Sequence, residues 1–136
     1  MSALLQSWPS PATILLVDDD PFLANSRKFV LERRMFKVER AADAADAFIR
    51  LEEPGFAARL ALVIVELRQP GVGAPAFVSE LTSRFPKMPV LVLDRTGEVA
   101  PDDFGEHVRF LPRHATTEDV LARACEMVSP SHLQVA

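Results

Sequence analysis

Several apolar runs of this sequence stop on acidic side chains. Three such places can be read directly: Asp18 and Asp19 after TILLV, Glu66 after LVIV, and Asp94 after PVLVL. Burying a carboxylate is costly unless it is paired or used, so acids at the ends of buried strands indicate a site. Carboxylates in one crevice could bind a divalent cation or take part in phosphoryl transfer.

These acids must be positioned by a sheet. Short Val/Ile/Leu runs alternate with helical patterns, which predicts an α/β fold with a doubly wound, five-stranded parallel sheet covered on both faces. Such sheets place their sites at the carboxyl ends of the strands. The fifth run, VRFL, is followed by Arg113, so we expect a guanidinium among the acids, with Arg68 at the rim.

The helices show their own signals. Pro21 suits the first turn of a helix after strand one, and Phe22, Ser26, Phe29 and Val30 suggest its inward face. Asp43 predicts the N-cap of the next helix. Segment 94–107 is rich in Pro and Gly, so we expect the helix between strands four and five to be short or irregular.

Composition bounds the remaining possibilities. The 136 residues fit one domain, and the formal net charge of -4 argues against direct nucleic-acid binding. The single cysteine, Cys125, excludes an internal disulfide and fits a reducing, cytoplasmic setting. No apolar run predicts a membrane span. We divide the chain into a flexible leader (1–12), a domain (13–128), and a tail or linker stub (129–136).

The motifs resemble those of response-regulator receiver domains of two-component signalling over residues 13–128. ILLVDDDP resembles the acidic turn that helps to hold magnesium, and LVIVELRQPGVG resembles the phosphoacceptor strand with its loop. PVLVLDRTGE resembles the fourth strand and FLPRHATTEDV the fifth, with Phe110 at the position of the aromatic switch residue. The resemblance implies a flavodoxin-like sheet in the order 2-1-3-4-5.

The departures from that pattern concern the reactive positions. Glu66 stands where the phosphoacceptor Asp is expected, and Asp94 replaces the Thr or Ser that senses the phosphoryl group. Arg113 replaces Lys, while Asp18 and Asp19 keep the acidic turn. This combination resembles atypical or pseudo-receiver members of the family, which are not switched by aspartyl phosphorylation.

The substitutions explain why the usual cycle is expected to fail. Glu66 is one methylene longer than Asp, which moves its oxygens by on the order of 1 Å and can cost about a hundredfold in rate. A carboxylate at Asp94 repels a phosphoryl group to which a hydroxyl would donate. Arg113 can bind a carboxylate with two parallel hydrogen bonds, so we expect it to pair with Glu66 or Asp94 and fix strand five.

The resemblance also implies ligands and partners. The family-like metal set is Asp19, Glu66 and the backbone carbonyl of Arg68, although the longer Glu66 disfavours the strict octahedron of magnesium. We expect no required cofactor, with magnesium, calcium or no ion left open. The expected role is a non-enzymatic signalling module that binds a protein such as a kinase or effector, with a homodimer also open, and no membrane partner.

Two alternatives stay open. One is a conventional receiver that is phosphorylated on another acid, Asp19 or Asp94. The other is a small Asp-based phosphatase, since Asp18-x-Asp20 after a strand is similar to the nucleophile turn of haloacid-dehalogenase-like enzymes. The Pro21-Phe22 that follows departs from that turn, and 136 residues leave little room for the further parts such an enzyme needs.

Overall fold

The computed structural model of the chain describes residues 11–68, 73–94, 105–112 and 115–135, and gives side chains in these ranges except for Asp94 and residues 129–135. The strands are β1 (Thr13–Asp18), β2 (Lys37–Ala41), β3 (Leu60–Glu66), β4 (Val90–Asp94) and β5 (Val108–Pro112). The helices in these ranges are α1 (Pro21–Arg33), α2 (Ala44–Leu51), α3 (Phe56–Arg59), α4 (Ala74–Arg84) and α5 (Thr117–Val135).

The strands form one parallel sheet in the order β2-β1-β3-β4-β5. This confirms the predicted fold class and strand order. The central strands β1 and β3 pair residue for residue from Ile14↔Leu62 to Asp18↔Glu66. Every residue of β1 is buried, as expected for a strand that is covered by helices on both faces of the sheet.

Each face of the sheet has its own core, because alternate residues of a strand point to opposite sides. On one face, Leu15 and Val17 of β1 belong to a cluster that includes Ala47, Phe56 and Phe77 from α2, α3 and α4. On the other face, the cluster combines strand residues with side chains of α1 and α5: Ile14, Leu16, Leu31, Val120 and Ala124.

Helix α1 begins where predicted but is rotated from the predicted face. The side chain of Asp20 accepts hydrogen bonds from the backbone N–H groups of Phe22 and Leu23, and Pro21 lies in the first turn. The buried residues of the helix are Ala24, Arg27 and Leu31. The predicted inward face was wrong, since Phe22, Ser26 and Phe29 are exposed and Val30 is half-buried.

Helix α2 agrees with the sequence prediction, and the remaining helices differ from it in part. The predicted cap Asp43 accepts a hydrogen bond from the N–H of Asp46, and Ala47 and Leu51 of α2 are buried. The four-residue α3 was not predicted. The expected irregular helix between β4 and β5 falls on residues 95–104, which lie outside the described ranges. Helix α5 runs to Val135 and so continues into the segment assigned to a tail.

Candidate functional site

Two buried carboxylates lie side by side at the carboxyl end of the sheet. Asp18 ends β1 and Glu66 ends β3, and the register of these strands pairs the two residues directly. Their side chains are 0% and 1% exposed. Two neighbouring anions removed from water are strongly unfavourable unless cations compensate them.

Arg27 of α1 supplies the first compensating charge. Its side chain is 8% exposed, and its Nη1 donates a hydrogen bond of 3.1 Å to Asp18 Oδ2. The same nitrogen forms an ion pair with Glu66 Oε1. The position follows from the local fold, because α1 starts directly after the acidic turn and its second turn lies over the ends of β1 and β3.

Arg68 supplies the second charge from the residues that follow β3. Its Nη1 lies 2.7 Å from Asp18 Oδ1 and 3.1 Å from Asp19 Oδ1, and its Nη2 lies 2.7 Å from Glu66 Oε2. The backbone N–H of Arg68 also donates to Asp19 Oδ2 at 2.7 Å. The segment after β3 is thereby fastened to the acidic turn after β1.

Each of the two arginines bridges the two buried carboxylates, and each contacts a different oxygen of either group. Arg27 contacts one oxygen of Asp18 and one of Glu66, and Arg68 contacts the other oxygen of each. The length of Glu66 matters here, because its longer side chain reaches past the strand end to both guanidinium groups. Within the described residues, the crevice therefore contains a network of ion pairs.

The electrostatics of Arg68 reflect this network. Burial disfavours its charged form, but the hydrogen bond to Asp18 and the charges of Glu66 and Asp18 outweigh that effect and raise its pKa above the ordinary value. Arg40 adds a further positive group, since its Nε and Nη2 donate to the backbone carbonyl of Asp18 at 3.2 and 2.8 Å.

The structure tests the remaining predicted site residues only in part. Asp94 ends β4 opposite Pro112, but its side chain is outside the description, and so is the whole of Arg113. The predicted pairing of Arg113 with Glu66 or Asp94 therefore stays a prediction. Phe110 is half-buried on β5 and packs against the core cluster of that face, so its role as a switch is likewise untested.

Sequence reasoning missed Arg27. It assigned the inward face of α1 to the aromatic residues and overlooked the polar residue among Ala24, Arg27 and Leu31, which share a face at i, i+3 and i+7. The signal that could have found it is electrostatic: two adjacent buried acids require a cation, and an Arg two turns into the next helix can reach the strand ends.

The arrangement does not suit the metal that the resemblance implies. Among the described residues no group of three or more His, Cys, Asp or Glu side chains could hold a metal ion. The nitrogen of Arg68 that contacts both Asp18 and Asp19 occupies the position between these carboxylates. Glu66, a member of the predicted metal set, is held by two guanidinium groups.

Solved structures of receiver domains share this fold. A response regulator receiver domain protein from Clostridium thermocellum matches with a TM-score of 0.75 at 21% identity, over 90% of this chain and 98% of that one. A CheY-like receiver domain protein from Methanospirillum hungatei gives 0.74 at 21%, over 92% and 99%. The response regulator TrrA from Thermotoga maritima, in complex with Mg(2+)-BeF, gives 0.71 at 16%, over 85% and 98%.

These likenesses establish the receiver fold. No protein-family model matches the sequence, and no curated protein matches it significantly. Within the ranges that the structure describes, none of the helices combines the length and the apolar character required to cross a bilayer.

Proposed function

We propose that this chain is a receiver-like signalling module that is not phosphorylated at Glu66 and acts by binding another protein. The observation that supports it best is the ion-pair network in which Arg27 and Arg68 hold opposite oxygens of Glu66. A receiver changes state when its strand-end carboxylate is modified. A carboxylate that is already held on both oxygens favours a single state.

The chemistry of phosphoryl transfer supports the same conclusion. The reaction needs a carboxylate oxygen in line with the donor and a metal ion to neutralise developing charge. The fold neighbour TrrA carries Mg(2+)-BeF. In the present chain each oxygen of Glu66 contacts a guanidinium group, and the space between Asp18 and Asp19 contains Arg68. An attacking oxygen would first have to break a buried ion pair.

The network also partly imitates the charge that phosphorylation adds to a conventional receiver. Glu66 is anionic without modification, and its two arginines bind its oxygens as such groups bind a phosphoryl group. The imitation is partial, because a phosphoryl group carries about -1.5 to -2 charge. We therefore attribute the single state of the crevice to Arg27 and Arg68, in addition to any contribution from Arg113.

The surface of α1 supports a protein partner. Phe22 and Phe29 are 85% and 61% exposed, and their spacing of two helical turns puts them on one side of the helix. Arg33 lies over the ring of Phe29 at 5.7 Å, and Lys28 is close by in sequence. An apolar stripe with basic neighbours suits a partner helix that carries apolar and acidic side chains.

Intact-mass measurement tests the unphosphorylated state. We expect no mass gain when the chain is incubated with a small phosphodonor and magnesium, while a conventional receiver domain in the same reaction gains one phosphoryl group. A labile adduct mapped to Glu66 would refute the proposal. An adduct mapped to Asp19 or Asp94 would favour the conventional alternative.

A pair of surface variants tests the partner. Proteins that the wild-type chain captures from native lysate are identified by mass spectrometry and purified. Their affinity for the wild-type chain and its variants is then measured by calorimetry. We expect Phe22→Ser combined with Phe29→Ser to weaken binding by tenfold or more. Ile49, an apolar residue of α2 that is about as exposed as Phe29, provides the control, and Ile49→Ser should leave binding unchanged. If the partner binds the wild type, the double variant and Ile49→Ser with equal affinity, the exposed face of α1 is not the binding surface.

A further inference from the structure

One guanidinium group in the crevice touches all three acids that the strand ends and the acidic turn bring together. The Nη1 of Arg68 contacts Asp18 and Asp19, and its Nη2 contacts Glu66, at distances between 2.7 and 3.1 Å. The side chain is 18% exposed and reaches inward from the end of β3. From these contacts we infer that Arg68 is the resident cation of the crevice, and that removing its guanidinium opens a divalent-cation site on Asp18, Asp19 and Glu66.

The first step is electrostatic exclusion in the wild-type chain. A divalent ion between Asp18 and Asp19 would have to displace Arg68 or lie against its positive charge. At separations of a few ångströms in a partly buried site like charges repel strongly, and a divalent ion experiences twice the repulsion of a monovalent one. Arg27, which is also in contact with Asp18 and Glu66, adds to that repulsion.

The second step concerns the donors that remain when Arg68 is shortened. Arg68→Ala takes away the guanidinium but leaves the backbone N–H that holds Asp19 at 2.7 Å. One oxygen each of Asp18, Asp19 and Glu66 then faces the space that the guanidinium filled. Arg27 keeps its contacts with the other oxygens of Asp18 and Glu66. Carboxylate oxygens are the preferred ligands of magnesium, calcium and manganese.

The third step decides which ion fits. The oxygens of Asp18 and Asp19 lie 2.7 and 3.1 Å from the Nη1 nitrogen. Calcium binds oxygen at about 2.3–2.6 Å with flexible geometry, whereas magnesium needs a strict octahedron at about 2.0–2.1 Å. Small inward movements of the carboxylates satisfy calcium, and larger ones are needed for magnesium. We therefore expect the variant to prefer calcium.

Calorimetric titration with calcium chloride, and separately with magnesium chloride, tests the inference on the folded full chain. We expect no saturable calcium binding by the wild type and saturable calcium binding by Arg68→Ala, with a rise in the melting temperature of the variant as calcium is added. Arg68→Lys keeps a positive charge at the same place and should still exclude the ion.

Two further variants separate this site from other effects. Arg40→Ala removes a guanidinium that contacts only the carbonyl of Asp18 in the described contacts, so it should not create binding. Adding Asp19→Asn to Arg68→Ala should abolish the new binding, because a carboxylate ligand is lost. Should Arg68→Ala fail to fold, Arg68→Gln, which also removes the charge, takes its place.

Opposite results would overturn the inference: calcium binding by the wild type as tight as that of the variant, or no binding by folded Arg68→Ala and Arg68→Gln. The outcome is independent of the phosphorylation test, since no phosphodonor is present. A wild-type chain that binds no ion and is still phosphorylated at Glu66 would refute the proposed function and leave the role of Arg68 intact.

Discussion

Arg27 is the more deeply buried of the two arginines that pair with the buried acids. It is 7% exposed as a whole residue, and its nearest charged atoms belong to Asp18 and Glu66, which are almost completely buried. A pair of this kind is weak evidence for net stabilisation, because desolvation offsets the attraction. Breaking it is different, since it takes one of the two described guanidinium groups away from two buried carboxylates and leaves Arg68 to pair with both.

We predict that Arg27→Ala lowers the free energy of unfolding by roughly 3–5 kcal/mol. The surface ion pairs of Arg84 with Glu80 and Glu52 provide the matched control, and Arg84→Ala should cost no more than about 1 kcal/mol. Urea denaturation measures both. If the two variants lose similar amounts of unfolding free energy, the buried ion pairs contribute no more to stability than the surface ones do.

Asp20 gives a pH dependence that can be isolated. The backbone N–H of Leu23 is the largest influence that lowers the pKa of this N-cap carboxyl below its ordinary 3.8, and the N–H of Phe22 adds to it. A lowered pKa means that the stabilisation is present above the ordinary value and is lost as pH falls through the lowered one.

Asp20→Asn keeps an acceptor oxygen for both N–H groups but does not titrate. We predict that its melting temperature falls less steeply than that of the wild type as the pH is lowered below about 4. Thermal unfolding followed by circular dichroism across that range provides the comparison. Parallel curves for the two proteins would contradict the assignment.

At the scale of elements, α1 shows what sequence patterns decide and what they leave open. The cap Asp20 and the first-turn proline fix where the helix begins. The proline was predicted from the sequence, whereas the capping role of Asp20 was found in the structure. The helix face was not predicted correctly, because the apolar periodicity of Phe22 and Phe29 outweighs a single arginine in such a pattern. The face of the helix that meets the two acids carries Arg27, and its inward position is set by charge and not by hydrophobicity.

The end of α1 has a backbone feature that offers a prediction. Met35 follows the helix with a φ of 72°, a left-handed conformation that favours glycine. Its side chain is 75% exposed, so burial of that side chain adds little to the stability of the fold. We predict that Met35→Gly raises the free energy of unfolding by about 0.5–1 kcal/mol. Met35→Ala keeps the unfavourable φ and should give no such gain in the same urea titration. A loss of stability in Met35→Gly would contradict this reading.

At the scale of the whole molecule, the fold was largely predictable from the sequence and the site only in part. Alternating buried strands and helices predicted the parallel sheet and the meeting of Asp18, Asp19 and Glu66 at its carboxyl end. Pairing of individual side chains was not predictable, because it depends on the rotation of α1 and the path after β3. The expected cation was Arg113, with Arg68 at the rim. The structure places Arg68 in contact with the acids and adds Arg27, and Arg113 lies outside the described residues.

The central claim is that the crevice carries its own cations and therefore stays in one state. Its most direct test is a crystal structure of the full chain grown with magnesium and beryllium fluoride. We predict that Arg27 and Arg68 remain bonded to Asp18 and Glu66, with no ion between the carboxylates. Magnesium bound to these acids, beryllium fluoride on Glu66, and Arg68 turned out to solvent would contradict the account.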